Sequence, residues 1–278
     1  DLDKYIWEIP LGDKIRVDES KISLGGGSGN SSTGFNKLGL KSAIFGVVGD
    51  RENQKMLLHQ LHEVGVNTKH LTHVKDETSS LSVILNSHIG DRTVFHKRTT
   101  CSSLGEKKAK DLPAARAIYT AHLYDCTEPI LEQIPTWKGQ QKDAIWGWNP
   151  GKTQFKKGFT HFKHLFPFVD ALILNKEESE QFSGLKAQRI ELEDNFPEEI
   201  VGERISVPSE ANNEYLYDVR DIAEHFLNAG VKTIAITDGI RGAQVFNGDE
   251  HYFSPCQVGE RADTLGAGDA FSVALISA

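Results

Sequence analysis

A glycine-rich turn near the end of the chain reads Asp263-Thr264-Leu265-Gly266-Ala267-Gly268-Asp269-Ala270-Phe271 and runs into an apolar stretch that extends to Ala278. We expect the small residues at 266–268 to let consecutive backbone N–H groups converge at a helix N-terminus. The helix dipole favours an anion there, such as a phosphoryl group in transfer. Asp269 would lie beside the same centre, where it could accept a proton from an attacking hydroxyl. An aspartate near a helix start can also act as a cap, and this segment alone leaves both roles open.

A second glycine cluster lies near the start of the chain and reads Gly25-Gly26-Gly27-Ser28-Gly29-Asn30. Two short runs, residues 14–17 and 21–24, precede it and favour β-strands. A helix should follow from about residue 31 to residue 38, and Gly39 is placed to close it in the left-handed conformation. The cluster is therefore predicted to lie where the chain passes from strands into a helix.

The next segment is predicted to contain one strand and one helix. Residues 43–48 form a short apolar run, which suits a strand buried on both faces. Residues 52–64 follow as a helix that Gly65 ends. Its apolar face should carry Met56, Leu57, Leu61 and Val64.

A hairpin is predicted in the middle of the chain. Apolar and polar residues alternate at 82–85 and 93–96 on either side of a tight Gly90-Asp91 turn. This pattern is typical of an antiparallel pair that is exposed on one side.

The remainder of the chain alternates strands with helices, which indicates an α/β fold with a mostly parallel sheet and helices on both faces. A charged segment, residues 186–215, lacks sustained periodicity, so we predict a long surface excursion with at most a short strand at 204–207. The other predicted strands lie near 117–121, 143–148, 171–174 and Thr233–Thr237.

Composition limits the class of protein. The chain has 278 residues and a net charge of -8 without a long basic block, which argues against nucleic acid as the main partner. Its three cysteines lie far apart and favour unpaired thiols in a reducing compartment. No apolar run approaches the ~20 residues that span a bilayer, and no signal-peptide pattern is present, so we predict a cytoplasmic protein with no membrane contact. The chain opens without a methionine and ends in an apolar stretch, so we expect terminal segments to be missing.

Two signatures of one known family are found at the two ends of the chain. Residues 263–276 resemble the C-terminal signature of the ribokinase family, also called the PfkB carbohydrate kinases. Ser28 departs from the N-terminal signature, in which Gly, Ala or Pro is preferred, and Arg51 stands where Asp is usual. The residues that match the N-terminal signature in order and spacing are Gly25, Gly26, Asn30, Ser32, Gly39 and Gly49.

Three internal segments are similar to further landmarks of this family. Asn149-Pro150-Gly151 resembles the turn that lines the active-site cleft, and Asn175 with Glu178 matches the Asn-x-x-Glu motif that organises Mg²⁺ and its waters. Thr237-Asp238-Gly239 resembles the turn that supports the nucleotide. Asn175 and Glu178 could also be an ordinary helix start with a capping box, which is compatible with the metal role. The glycine cluster could likewise be only a flexible turn.

The resemblance implies a three-layer α/β/α ribokinase-like domain over residues 25–278. Residues 12–24 and 80–98 would form a small β-sheet lid, which could also supply a homodimer contact. The implied activity is transfer of the γ-phosphoryl group of ATP to a hydroxyl of a small sugar or sugar derivative. A nucleoside kinase is the alternative within the enzymes, and a non-catalytic metabolite-binding or regulatory protein is the alternative from another class.

The resemblance also implies a role for each site residue. Asp269 would be the general base, and the backbone at Gly266, Ala267 and Gly268 would stabilise the transferred group. Thr237, Asp238, Gly239 and Asn175 would bind the nucleotide, Glu178 and Asn175 would hold Mg²⁺ through water, and Asp263 could bind K⁺. The substrate would contact Gly25, Gly26, Asn30, Asn149 and Arg98.

Overall fold

The computed structural model describes residue 8 and residues 10–86, 92–99, 102–191, 215–248, 250–256 and 265–278. The helices are α1 Gly27–Lys37, α2 Gln54–Glu63, α3 Ser102–Gly105, α4 Ile134–Gly139, α5 Lys152–Lys157, α6 Phe159–Phe162, α7 Lys176–Ser183, α8 Arg220–Leu227 and α9 Ala267–Ser277. The strands are β1 Gly46–Gly49, β2 Leu71–Val74, β3 Leu81–Asn86, β4 Arg92–Lys97, β5 Ala117–Thr120, β6 Ile145–Trp148, β7 Ala171–Asn175, β8 Gln188–Glu191, β9 Tyr215–Asp218, β10 Thr233–Thr237, β11 Ala243–Asn247 and β12 Glu250–Ser254.

A six-stranded sheet forms the centre of the fold, in the order β12-β11-β10-β7-β6-β5. Strands β5, β6, β7 and β10 run parallel, and β11 and β12 are added antiparallel at one edge. The four parallel strands are the four that the alternation of strands and helices predicted. Because parallel strands end at the same edge of a sheet, the residues that follow β5, β6, β7 and β10 lie along one rim.

One face of the sheet packs against a large aromatic core. Leu172 and Leu174 of β7 point into it together with Trp148 of β6. The Trp148 ring lies 5.5 Å from the ring of Phe162 and 5.9 Å from that of Phe182, measured between centroids. Helices α4 to α8 supply most of the facing apolar side chains, so this face holds the main core.

The opposite face is covered by α9, with α1 packed beside it. Ala171, Ile173 and Ala235 alternate with the residues of the first face and meet apolar side chains of α9. A Cβ atom at Gly147 would lie 2.4 Å from Ile276 Cδ1, so a larger residue at this position would force the Ile276 side chain to move. With helices on both faces, the predicted three-layer α/β/α fold is confirmed.

The remaining strands form three small sheets. The predicted hairpin is present as β3 and β4, although its Gly90-Asp91 turn lies outside the described residues. The strand expected at 43–48 begins three residues later as β1 and pairs in parallel with β2, which the sequence did not predict. The segment 186–215 was expected to contain at most a strand at 204–207, and this is wrong, because β8 lies within it and pairs with β9, which begins where the segment ends. Residues 204–207 lie outside the described part of the chain.

The two strands predicted before the glycine cluster do not form. Residues 13–25 are all described and contain no strand. Ile15, Val17 and Ile22 are 59%, 69% and 69% exposed, so these apolar side chains find no surface to pack against. A strand is stabilised by its partner, and here none is paired. The β structure expected at 12–24 as part of a lid is therefore wrong, whereas the part at 80–98 contains a hairpin.

The structure also bears on the predicted face of α2, on the cysteines and on membrane contact. Met56 is 38% exposed and lies off the buried face of α2, where Leu61 is 1% exposed. Cys126 is disulfide-bonded, so the expectation of unpaired thiols is wrong for this residue and the cysteines no longer argue for a reducing compartment. No helix in the described ranges combines the length and apolar character needed to cross a bilayer.

Candidate active site

Helix α9 begins with an open N-terminus. Gly266 precedes it with φ +78°, a left-handed conformation that glycine adopts without strain. No side chain of the described residues caps this end, and Ala267 and Gly268 are exposed. The first backbone N–H groups of α9 therefore face open space, which is the arrangement that attracts an anion.

The Asp269 carboxylate does not cap its own helix. Its Oδ2 atom accepts a hydrogen bond of 2.7 Å from Asn30 Nδ2, which comes from α1 and is 239 positions away in the chain. The side of the carboxylate that carries Oδ1 faces Gly27, where a Cβ atom would lie 3.6 Å from Oδ1. The structure thus brings both glycine-rich segments to one point, and the capping alternative for Asp269 is not what it adopts.

Burial raises the pKa of Asp269, and the hydrogen bond from Asn30 opposes that rise. A carboxylate with a raised pKa is a stronger base than an ordinary aspartate, provided that it is ionised at the working pH. Asn30 helps to keep it ionised because an amide N–H donor favours the charged form.

Helix α1 positions Asn30. The helix begins at Gly27, four residues earlier than predicted, so Asn30 lies in its first turn instead of in a loop. The Asn30 N–H donates to Gly26 O at 2.9 Å, and Gly26 adopts φ +78°. Gly34 lies one turn after Asn30, and a Cβ atom there would be 3.1 Å from the side chain of Val273 in α9. The two helices therefore approach closely because glycines line the contact.

Asn175 and Glu178 lie at the end of β7 and the start of α7. Asn175 Oδ1 accepts from the Glu178 N–H at 2.8 Å, and Glu178 Oε2 accepts from the Asn175 N–H at 3.0 Å. This is the capping box that the spacing allowed. Burial raises the pKa of Glu178, the backbone N–H of Asn175 opposes this, and the charge of Glu177 adds to it.

Thr237, at the end of β10, is the register partner of Asn175 on the adjacent strand. The Asp238 carboxylate that follows is held by Arg241, at 2.6 and 2.7 Å. Gly239 adopts φ +54° in the turn. The backbone of this turn lies on the same rim as Asn175, whereas the Asp238 side chain is already bound.

Tyr119 of β5 was not predicted as a site residue. Burial raises its pKa to about 12, the nearby Ser272 hydroxyl opposes this, and the negative charges of Asp269 and Glu178 add to it. The Tyr119 hydroxyl is buried without a hydrogen bond of good geometry, and the nearby Ser272 Oγ donates to Gly268 O at 2.8 Å. Both carboxylates act on one phenol, so Asp269 and Glu178 face a common region. The sequence signal that could have indicated Tyr119 is its hydroxyl, which lies near the C-terminal end of the apolar strand β5.

The other predicted substrate residues lie around this region. Asn149 Nδ2 donates to Ile173 O at 2.7 Å, so this side chain ties the end of β6 to β7. Arg98 stacks on Tyr124, with its guanidinium carbon 3.5 Å from the ring centroid. Gly25 is exposed, and Asp263 lies outside the described residues.

The site suits a hard cation held through water. Among the described residues, no three His, Cys, Asp or Glu side chains are grouped to ligate a metal directly. Glu178 uses only Oε2 in its capping bond, which leaves Oε1 available to a water molecule. Mg²⁺ prefers oxygen ligands, keeps several waters and is commonly bound by few carboxylates together with phosphates, so these residues fit Mg²⁺.

Comparison with solved structures places the fold. A nucleoside kinase from Burkholderia thailandensis in complex with inosine is 17% identical, and the match covers 96% of this chain and 77% of that one with a TM-score of 0.69. A putative Ribokinase II from E. coli in complex with ATP and Mg²⁺ is 16% identical over 96% and 80% of the two chains, with a TM-score of 0.66. The adenosine kinase from Sinorhizobium meliloti is 19% identical over 90% and 69%, with a TM-score of 0.64.

These likenesses show that the fold is ribokinase-like. The sequence itself matches the family described as pfkB family carbohydrate kinase over residues 3–278. Since this match spans nearly the whole chain, the protein belongs to the pfkB family of carbohydrate kinases.

Proposed function

We propose that this protein is an ATP-dependent phosphotransferase that acts on a hydroxyl of a small sugar or sugar derivative. The observation that carries the proposal is the Asp269 carboxylate, held by Asn30 at the open N-terminus of α9. Phosphoryl transfer relies on positioning and electrostatics, and this arrangement supplies a base and an anion site within one helical turn.

In this proposal Asp269 accepts the proton of the acceptor hydroxyl as the phosphoryl group arrives. Backbone N–H groups at Gly266, Ala267 and Gly268 donate to that group at the helix start. Gly25, Gly26 and Asn30 border the acceptor, and Asn149 shapes the neighbouring turn. Asn30 then has two tasks, because its amide also keeps Asp269 ionised.

The nucleotide is proposed to lie along the rim formed by β7 and β10. Asn175 and the Thr237-Asp238-Gly239 turn border its phosphates. The Asp238 side chain is bound to Arg241, so this turn contributes its backbone to the nucleotide. Mg²⁺, held through water by Glu178 and Asn175, would offset the negative charge of the phosphates. The Ribokinase II likeness in complex with ATP and Mg²⁺ supports this choice of cofactors. A K⁺ site at Asp263 stays a prediction.

The β3–β4 hairpin is proposed as the lid of the acceptor site. Its described side chains include four that are largely exposed although apolar, and such a surface suits closure over a ligand or contact with a second copy of the chain. These side chains are Leu81, Val83, Val94 and Phe95.

The decisive experiment replaces the base and follows ADP release with a panel of sugars, sugar phosphates and nucleosides. Asp269→Asn keeps the shape of the side chain and an oxygen that can accept from Asn30. We expect kcat to fall by about 10²-fold or more, the scale of a positioned base.

The same variant should not lose stability. Burial raises the pKa of Asp269, so ionisation of this group disfavours the folded state as pH rises above the ordinary aspartate pKa. The variant should therefore be at least as stable at pH 7.

A matched control is Asp221→Asn, the same change in the first turn of α8. It should leave turnover and stability nearly unchanged. Near-full turnover of Asp269→Asn would remove Asp269 from the mechanism, and no ADP release with any acceptor would favour a non-catalytic binding protein. Turnover of nucleosides alone would assign the nucleoside kinase alternative.

A further inference from the structure

A group of basic side chains lies beside the proposed acceptor site, in the segments that follow strands β4, β5 and β6. We call Arg98, His122 and Lys152 the cationic cluster. The His122 ring lies 4.7 Å from the Tyr124 ring between centroids, and the Arg98 guanidinium carbon lies 3.5 Å from the centroid of that same ring. Lys152 adjoins Thr153, whose Oγ1 is 3.4 Å from His122 Nε2. The Tyr124 ring thus brings Arg98 and His122 together, and His122 contacts the first turn of α5, where Lys152 lies.

The cluster is held in place by close packing. A Cβ atom at Gly151 would lie 2.2 Å from His122 Cγ, so the His122 ring sits directly on the backbone of the Asn149-Pro150-Gly151 turn. Arg98 is fixed by its stacking on Tyr124. A stacked arginine keeps its N–H donors in one plane and directed outward, which suits binding of a planar or tetrahedral anion.

The positive charge of the cluster is not neutralised within the described part of the chain. No described carboxylate forms an ion pair with Arg98 or Lys152. The nearest acidic residues in sequence, Asp125 and Glu128, both pair with Lys157, at 3.4 and 2.5 Å. Burial lowers the pKa of His122, and the positive charges of Arg98, Lys152 and His96 lower it further. Basic groups that oppose one another's protonation in this way would be stabilised by an anion.

The cluster lies on the acceptor side of the site. Ala121, which directly precedes His122, has its Cβ atom 2.9 Å from where a Cβ atom of Gly27 would lie, and Gly27 faces Asp269. Consecutive Cα atoms are only about 3.8 Å apart, so the His122 backbone lies near Gly27, on the side of the site that Asp269 faces. The sheet order puts β5 at one edge with β6 beside it, whereas β10, which borders the proposed nucleotide site together with β7, lies further along the sheet.

We propose that the cationic cluster binds an anionic group of the acceptor, so that the acceptor is a sugar phosphate or a sugar acid and not a neutral sugar or a nucleoside. The inference rests on the proposed function only in naming the bound molecule as the acceptor. Arg98 and Lys152 supply charge, and His122 supplies a ring nitrogen next to Thr153. A phosphate monoester and a carboxylate share the required chemistry.

The test is calorimetric binding of four probes to the whole chain: fructose, fructose 6-phosphate, gluconate and adenosine. Binding is measured without ATP, so it does not depend on turnover. The variants are Arg98→Met and Lys152→Gln, both at exposed positions. Lys163→Gln is the control, because it removes the same charge at the end of α6, beside α8. Thermal unfolding checks that each variant is folded.

We expect at least one anionic probe to bind roughly 10-fold or more tightly than fructose and adenosine. Arg98→Met and Lys152→Gln should each weaken that probe by about 10- to 100-fold, the range for a hydrogen bond to a charged group, while Lys163→Gln has no effect. The better anionic probe distinguishes a phosphate from a carboxylate. Arg98→Lys should recover part of the affinity, because it keeps the charge and loses the stacked fork.

Failure of both anionic probes to bind more tightly than fructose would overturn the inference, as would unchanged affinity in both variants. Binding of a non-hydrolysable ATP analogue is measured in parallel. If Arg98→Met weakens this analogue as much as the anionic sugar, the cluster serves the nucleotide and the inference fails. Tight anion binding without ADP release would sink the proposed kinase activity alone, and turnover of neutral sugars only would sink the anion site alone.

Discussion

The hydrogen bond from Asn30 to Asp269 should control the pH at which the enzyme becomes active. Asn30→Leu removes the donor and keeps a side chain of similar size. A hydrogen bond to a charged group contributes about 1.5–3 kcal/mol, and the lower figure applies here because the carboxylate is only half-buried and water can partly replace the amide. About 1.4 kcal/mol is a factor of ten in an equilibrium. In Asn30→Leu, the Asp269 carboxylate should therefore bind its proton roughly tenfold more tightly.

The assay is kcat/KM across the acid limb of the pH profile. Loss of Asn30 raises the pKa of Asp269 further, so the limb moves to higher pH. The ratio of variant to parent activity should be about tenfold lower on the acid limb than on the plateau. This comparison of two pH ranges is independent of any loss of acceptor contacts by Asn30, because such a loss lowers both.

The higher pKa of Asp269 in Asn30→Leu should also lower the unfolding free energy as pH rises. Asp269 already has a folded-state pKa above its ordinary value, so its ionisation weakens the folded state as pH rises through that window. Asn30→Leu widens the window. Its deficit in unfolding free energy should be small at low pH and should grow as pH rises, by up to about 1.5 kcal/mol.

The control for this prediction lies on the same helix. Asn36 donates to Ser42 Oγ at 2.6 Å and does not reach Asp269. Asn36→Leu should therefore lower stability without moving the acid limb. An unmoved acid limb in Asn30→Leu, accompanied by the same loss of stability as in Asn36→Leu, would refute the assignment of Asp269 as the base.

Two further predictions concern packing and charge. Partial burial raises the pKa of Asp170, but hydrogen bonds from Lys138, Lys232 and the Trp146 N–H outweigh it, so the net pKa is lowered. This stability is present above the ordinary aspartate pKa and is lost as pH falls through the folded-state pKa. Asp170→Asn should therefore reduce the unfolding free energy, measured in urea, by about 2 kcal/mol at pH 7 and by less as the pH falls below the ordinary aspartate pKa. An equal loss at neutral and acid pH would contradict this. Gly27→Ala places a Cβ atom 2.9 Å from the Cβ atom of Ala121, beside Asp269, and should lower kcat by about tenfold or more. The control is Gly139→Ala, whose Cβ atom meets open space, so its kcat should not change. Equal kcat in the two variants would contradict the packing argument.

The central sheet could be predicted because its evidence is local. Residues 171–174 and Thr233–Thr237 are short runs of buried apolar residues, which parallel strands require on both faces. The capping box at Asn175 and Glu178 spans only four residues, so its pattern and its geometry coincide. The family landmarks at Asn149, Asn175 and Thr237 lie on one rim of the sheet, because parallel strands end at the same edge.

Other features depend on contacts between distant segments. Residues 14–17 and 21–24 have the composition of strands, but a strand forms only beside a partner, and none pairs with them in the described structure. The contact between Asn30 and Asp269 joins residues 239 apart, and no local pattern contains that distance. Tyr119 acquires its raised pKa from burial and from two carboxylates on other elements.

The close packing of α9 on the sheet connects stability to the proposed chemistry. The aromatic face, around Trp148, can lose contacts without moving α9, because the sheet separates the two layers. On the other face, a Cβ atom at Gly34 would lie 3.1 Å from the Val273 side chain and one at Gly147 would lie 2.4 Å from Ile276 Cδ1, so an added carbon at either position would displace a side chain of α9. A shift of α1 or α9 in response would lengthen the 2.7 Å bond between Asn30 and Asp269, since each residue lies in the first turn of its helix. Substitutions of equal cost to stability should therefore reduce turnover far more at Gly34 or Gly147 than in the aromatic core.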